Sequence, residues 1–373
     1  MKWGVRAPSC WRDAAVPHLY VSYVRGGGML FRPIKGLSVL LAVAVLVSAV
    51  ARPSAAAGGG GAVVFAYGRF GDDRAPGTSI RVDQFEDHLD ELKDGDYSVL
   101  PLPRVVGALR GGAALPDRTV AITIDEATRS AYRDAWPRLR AAGVPFTLFV
   151  ATDAVDRGLG DAMTWDQVRE LYNAGVTIGA LSASALPMAA RSPQEIRDDL
   201  DRMKERFQAE LGVVPALFAY PHGEYSLPVR RQIEQAGFQA AFGQQSGVAY
   251  PGADLFALPR FLMNDSFGSL DRFEMAANAL PLPVTDVTPV DPVLMRNPPI
   301  LGFTVPEGVG NLDRLACFAT GQGRSGVERL GTNRVEVRIA EAFPSGRARV
   351  NCTLPAEDDR WRWFGVQFFI PEP

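Results

Sequence analysis

One short phrase recurs three times and restricts the fold more than any other feature of this chain. Leu139-Arg-Ala-Ala-Gly143-Val144, Leu171-Tyr-Asn-Ala-Gly175-Val176 and Ile233-Glu-Gln-Ala-Gly237-Phe238 each read as the end of an amphipathic helix, a glycine cap and the start of a strand. The glycines lie 32 and 62 residues apart, one β-α unit and about two. Strands and helices alternating at that period make a parallel sheet or barrel. Seven apolar runs supply the strands, at 63–67, 119–124, 146–151, 176–181, 216–220, 240–243 and 257–261. Runs apolar on both faces suit an α/β barrel of about seven strands better than an antiparallel sandwich. The clearest helix opens at Ser192-Pro193-Gln194-Glu195, a capping box with proline in its first turn. Its apolar stripe is Ile196, Leu200, Met203, Phe207 and Leu211, all core positions.

The N-terminal text is of another kind. From Met29 it carries Arg32 and Lys35, an apolar run over 37–51, Pro53, and then Ser54-Ala55-Ala56-Ala57. A positive segment, an apolar segment and a small-residue site describe a secretory signal peptide cleaved after Ala57. An uncleaved anchor is the other reading, but a run of about 15 residues is short of the roughly 20 that a membrane span takes. Residues 1–28 show no pattern, and translation is expected to start at Met29. Residues 1–57 are therefore set apart from the fold. The product is expected to be exported, periplasmic or extracellular, with at most a transient or residual membrane association through the signal segment. Beyond that segment only Cys317 and Cys352 remain, an even pair that an oxidising compartment would join; two buried thiols are the alternative. The net charge of −3 is made of mixed charges with no basic field, which argues against nucleic acid as a partner.

Six prolines fall between Leu280 and Pro299, the composition of a stiff linker. That divides the chain into a barrel over 58–279, a linker over 280–299 and a smaller unit over 300–373. In the last, Val335, Val337 and Ile339 alternate with Glu336 and Arg338, and glycine- and proline-rich turns separate the runs. A small all-β, sandwich-like module is expected there. Trp361 and Trp363 would share one face of a strand, either as a platform for sugar rings or as core.

Acidic residues at the C-terminal end of a barrel strand are where barrel active sites are built, and the run over 119–124 ends in Asp125-Glu126. Here the sequence resembles a known family. Val120-Ala-Ile-Thr123-Ile-Asp125-Glu126-Ala127 is similar to the T-F-D-D-G motif of the polysaccharide deacetylases, the NodB-homology family that includes chitooligosaccharide deacetylases. Thr177-Ile-Gly-Ala-Leu181-Ser-Ala-Ser-Ala185 stands where that family has G-x-H-[ST]-x-x-H. Phe218-Ala-Tyr220-Pro-His222-Gly-Glu224-Tyr225 resembles its F-x-Y-P-Y-G-E-Y motif, and Ala66-Tyr67-Gly68-Arg69-Phe70 a first-strand Y-H-R-F. The resemblance runs over about residues 62–275 with order and spacing kept.

It implies a deacetylase site in which the first aspartate is the general base and a divalent metal such as zinc is held by the second aspartate and two histidines. Such a metal lowers the pKa of its water from about 15.7 to about 7 and polarises the amide carbonyl. Position by position, Asp125 matches the base and Glu126 the carboxylate ligand, while Leu181 and Ala185 occupy the histidine positions and Gly68 another. No histidine lies between His88 and His222, so no shift of register restores the pair, and no metal cofactor is expected. His88 falls at the edge of a helix face formed by Phe85, Leu89 and Leu92 and reads as a surface or half-buried residue. His222 replaces the third motif's tyrosine in a loop at the barrel mouth. Tyr67, Tyr220, His222, Glu224, Tyr225 and Arg260 are candidates for a substrate groove, and Arg260 is expected to pair with Asp125 across the mouth. Asp125 and Glu126 are either a surviving base and ligand or a solvated strand end; neighbours on a strand point to opposite faces, which favours the second.

Three functional readings follow. The chain is an exported deacetylase-like protein that binds an N-acetylated glycan with its metal chemistry impaired; or a deacetylase or other carbohydrate hydrolase with an atypical site using Asp125, Glu126, His222 or Glu224; or a structural protein of the cell envelope that binds through its C-terminal module.

Overall fold

The structure, a computed structural model, describes residues 60–372; the expectations for the upstream segment and signal peptide at 1–57 lie outside the described residues. All seven expected barrel strands form. They are Ala62–Tyr67, Thr119–Asp125, Phe146–Val150, Thr177–Ala180, Leu217–Ala219, Ala240–Phe242 and Phe261–Leu262. Every pairing among them is parallel, and the spatial order places Phe261–Leu262 beside Ala62–Tyr67, with the others following in chain order. The last strand begins four residues later than the apolar run suggested. The segment before it instead makes one parallel bridge, Leu258 to Phe242, which links the two edges of the curled sheet.

Side chains alternate between two cores. Val63, Phe65 and Tyr67 join the outer core under the helices, whereas Ala62 and Val64 join a smaller cluster with Phe149, Leu181 and Phe242. Burial on both faces is the reason these strands read as continuous apolar runs. The three repeated phrases do what their spacing implies. Gly143 is the helix cap at φ 67°, and Gly175 and Gly237, each one residue past its cap, also take positive φ. Helix Pro193–Leu211 has the expected capping box, with Ser192 Oγ accepting from Glu195 N and Glu195 accepting from Ser192 N.

His88 corrects its expectation. It lies on helix Val82–Asp94 but is fully buried, its Nε2 donating to Gly268 O at 3.0 Å and its Nδ1 accepting from the Tyr67 hydroxyl at 3.0 Å. Its ring stacks on Phe273 at 4.2 Å. Helical period placed it at the edge of a stripe; the segment around Gly268 covers that edge.

The proline-rich stretch is woven into the module. Leu280–Pro281 pairs with Trp363 and Arg362, and Thr285–Thr288 pairs with Ile300–Thr304. The long strand Gly323–Leu330 pairs with Ala316–Ala319 over its first three residues and with Arg334–Arg338 over its last five, so one ribbon folds into two layers. Their inner faces share a core that includes Leu301, Phe303 and Val335 from one layer and Val350, Leu354 and Phe368 from the other. Cys317 and Cys352 lie opposite each other on paired strands and are joined by a disulfide. Trp363 packs on the barrel against Phe261, with ring centroids 5.2 Å apart, while Trp361 remains 37% exposed. Among the described residues no helix is long and apolar enough to cross a membrane.

Candidate functional site

The strand Thr119–Asp125 delivers two carboxylates to the barrel mouth, and the chain turns sharply between them. Glu126 has φ 63°, a left-handed conformation that costs a non-glycine residue about 1–2 kcal/mol. The strand's period of two therefore stops at Asp125. Both carboxylates line one cavity of about 460 Å³, which corrects the expectation that they face apart. Leu181, Ala185 and His222 line the same cavity. The three motifs of the resemblance thus meet at the C-terminal ends of the strands, where a parallel barrel gathers its loops.

Asp125 and Arg260 make a bidentate pair. Nη1 donates to Oδ1 at 2.6 Å and Nη2 to Oδ2 at 2.8 Å. Arg260 is fully buried, and its remaining donors go to Gly243 O at 2.9 Å and Thr123 Oγ1 at 3.1 Å, with the Phe149 ring 5.4 Å from the guanidinium. The expected pairing is present, but Arg260 lies beneath the cleft and is not one of its walls. Glu126 keeps 45% of its side chain open, and Arg69 stands 3.8 Å from it. Burial raises its carboxyl pKa above the ordinary value, Arg69 offsets part of that, and Asp125 adds to it.

The other groove candidates divide. Tyr67 and His222 line the cleft. Burial lowers the His222 pKa, Arg347 lowers it further, and Asp125 opposes both. Tyr220 is not a groove residue: it is fully buried, its hydroxyl donates to Phe256 O at 2.9 Å, and its ring stacks on Tyr225 at 4.8 Å. Tyr225 lines a separate cavity between barrel and module. Glu224 is buried, its Oε1 3.4 Å from Arg347. The motif alternates along a loop whose direction the 3-10 turn Pro221–Gly223 changes, so these side chains leave on different sides.

Sequence reasoning missed the residues that other segments bring in. Arg69 stood in a quoted motif, and its charge was the signal. Gln244, Asn264, Arg347 and Arg349 also line the cleft. The two arginines come from the module strand Gly346–Pro355, and nothing local marks them as cleft residues. Arg349 Nε donates to Gln367 Oε1 at 2.8 Å and its Nη2 to Gln244 Oε1 at 3.3 Å.

The positions that the resemblance assigns to a metal offer one carboxylate, Glu126, and two hydrocarbon side chains, Leu181 and Ala185. Zinc takes three or four nitrogen, sulfur or oxygen ligands from protein, so this donor set does not fit it. Among the described residues no three His, Cys, Asp or Glu side chains converge as a metal would require. Gly68 offers no alternative, because a Cβ there would lie 2.7 Å from Thr78 O.

A parallel α/β barrel with carboxylates gathered at its mouth defines the class of fold. Residues 112–241 match the sequence profile of the polysaccharide deacetylase family. It is 25% identical over 186 residues to YxkH of Bacillus subtilis (strain 168), covering 49% of this chain and 66% of that protein. It is 26% identical over 226 residues to the poly-beta-1,6-N-acetyl-D-glucosamine N-deacetylase of Escherichia coli (strain K12), covering 50% of this chain but only 34% of the relative. Among solved structures, IcaB from Ammonifex degensii superposes with a TM-score of 0.54 at 25% identity, over 59% of this chain and 98% of that one. The Streptococcus pyogenes deacetylase PplD also gives 0.54, at 18% identity over 59% of this chain and 99% of that one, a likeness of fold alone. The chain thus spans from a third to two thirds of the length of these two relatives.

Proposed function

We propose that this chain is an exported member of the family that binds an N-acetylated glycan in the barrel cleft and does not deacetylate it by the metal route. One observation carries the reading: Leu181 and Ala185 line the same cavity as Asp125 and Glu126, at the positions where the family's metal-binding histidines belong. The glycan follows from relatives named as deacetylases of poly-beta-1,6-N-acetyl-D-glucosamine. A second reading, a hydrolase without the family's metal site, is supported by Asp125, Glu126 and His222 lining one cavity with Glu126's pKa raised by burial.

Metal analysis and acetate release on the purified protein separate the two. Less than about 0.1 equivalent of transition metal is expected, because one carboxylate is a poor zinc site. No acetate should appear from N-acetylglucosamine oligomers, while calorimetry should detect their binding. Stoichiometric zinc with chelator-sensitive activity sinks the reading; metal-independent release of acetate establishes the second. Glu126→Asp with Leu181→His and Ala185→His should bring back zinc binding, read directly as bound metal. For the export half, N-terminal sequencing of protein recovered outside the cytoplasm should begin near Gly58, and residues 1–57 still attached would contradict cleavage.

A further inference from the structure

The charges around the cleft do not balance. Each carboxylate at or beneath it has a guanidinium beside it: Arg260 for Asp125 at 2.6 Å, Arg69 (which also reaches Asp72 at 3.7 Å) for Glu126 at 3.8 Å, and Arg347 for Glu224 at 3.4 Å. Arg349 has none. Among the described residues its nitrogens reach only the neutral oxygens of Gln367 and Gln244. It stands two residues from Arg347 on one strand, so both side chains leave the same face of the sheet, and both line the cleft. Burial, and then Arg347 itself, push the pKa of Arg349 down to about 10. A cation held half-buried beside a second cation suffers both desolvation and repulsion, and an arriving anion relieves both. Gln367 and Gln244 meanwhile hold its guanidinium in one orientation.

Resting on the cleft being a glycan site, we propose that the glycan carries an anionic group, a carboxylate or a phosphate, which Arg349 and Arg347 grip together from the C-terminal module. A guanidinium presents a planar fork of donors that matches either group. A neutral N-acetylated chain would leave Arg349 without a counter-charge, so the acidic saccharide is the one this cleft prefers. The module then supplies the discriminating wall of a cleft whose floor belongs to the barrel.

The test is calorimetric titration of the mature protein with three hexasaccharides: a hyaluronan hexasaccharide of alternating glucuronate and N-acetylglucosamine, its carboxyl methyl ester, and the chitin hexamer. The acidic hexasaccharide should bind at least about tenfold more tightly than its ester, the scale of one charge-assisted hydrogen bond. Arg349→Gln and Arg347→Gln should each erase most of that preference, bringing the acidic hexasaccharide down toward the affinity of its ester. Arg347 is exposed, so its variant keeps the test decisive even if Arg349→Gln folds poorly. Inorganic phosphate and free glucuronate, added as competitors, identify the anion by which displaces the acidic hexasaccharide at the lower concentration. Equal affinity for all three saccharides, unaltered in both variants, overturns the anionic ligand and leaves the glycan reading standing. Failure of every saccharide and of phosphate to bind overturns both.

Discussion

At the scale of single residues, the buried groups set the sharpest expectations. Arg260 has no access to water, so deleting its partner strands a charge. Asp125→Ala should cost about 3–5 kcal/mol of stability in denaturant titrations, and adding Arg260→Met should recover much of it. A loss below about 1 kcal/mol would mean that water reaches the pair. His88 gives a pH dependence. Burial lowers its pKa from 6.5 to about 4, so the unfolded chain binds its proton over a range in which the folded chain does not. Its contribution is complete above about pH 6.5 and is lost as pH falls toward 4, amounting to about 2 kcal/mol by pH 5. His88→Asn should flatten the fall in unfolding free energy between pH 7 and pH 5; an equal slope in both proteins would assign it to other groups. Arg260 was legible as the partner of Asp125 because each stood at the end of an apolar run read as a barrel strand. The burial of His88 was not legible, because the segment that covers it lies 180 residues away.

At the scale of elements, local sequence was a good guide where local forces decide. The capping box at Ser192 closes two otherwise unpaired backbone donors, and Ser192→Ala should lower stability by about 1 kcal/mol in thermal or urea unfolding. No change would show that tertiary packing alone holds the end of helix Pro193–Leu211. The glycines at 143, 175 and 237 all adopt the positive φ that their place after a helix requires. Period-two reasoning failed one residue past a strand end, at Glu126, where the backbone turns left-handed and brings the second carboxylate beside the first. It also failed across the third motif, where the turn at Pro221–Gly223 sends Tyr220 and Tyr225 away from the cleft that His222 enters.

At the scale of the whole molecule, the module's approach to the barrel decides the shape of the cleft. A Cβ at Gly365 would lie 2.3 Å from Ser246 O and 2.8 Å from Asn351 Oδ1, so only glycine lets this strand come so close. Gly365→Ala should cost about 1–3 kcal/mol and loosen the contact, seen as a lower melting temperature and new proteolytic cuts between barrel and module. Unaltered melting and digestion would show that the contact gives way easily. Gln367 Nε2 donates to His222 O at 2.9 Å and Arg360 reaches Asp117 at 2.9 Å, so polar bonds fix the same contact. The sequence by itself determined the parallel barrel, the β module, the strand end that carries Asp125 and Glu126, and the hydrocarbon side chains at Leu181 and Ala185. Those rest on periodicity, caps and motif order, all short-range properties of the chain. Only the tertiary structure decided that Arg347 and Arg349 reach a cleft whose carboxylates, Asp125 and Glu126, lie more than 200 residues earlier in the chain, that Tyr220 and Glu224 are buried, and that Glu126 turns to face it. The reason is physical: which surfaces meet is set by shape and charge summed over both domains, and no window of sequence contains that sum.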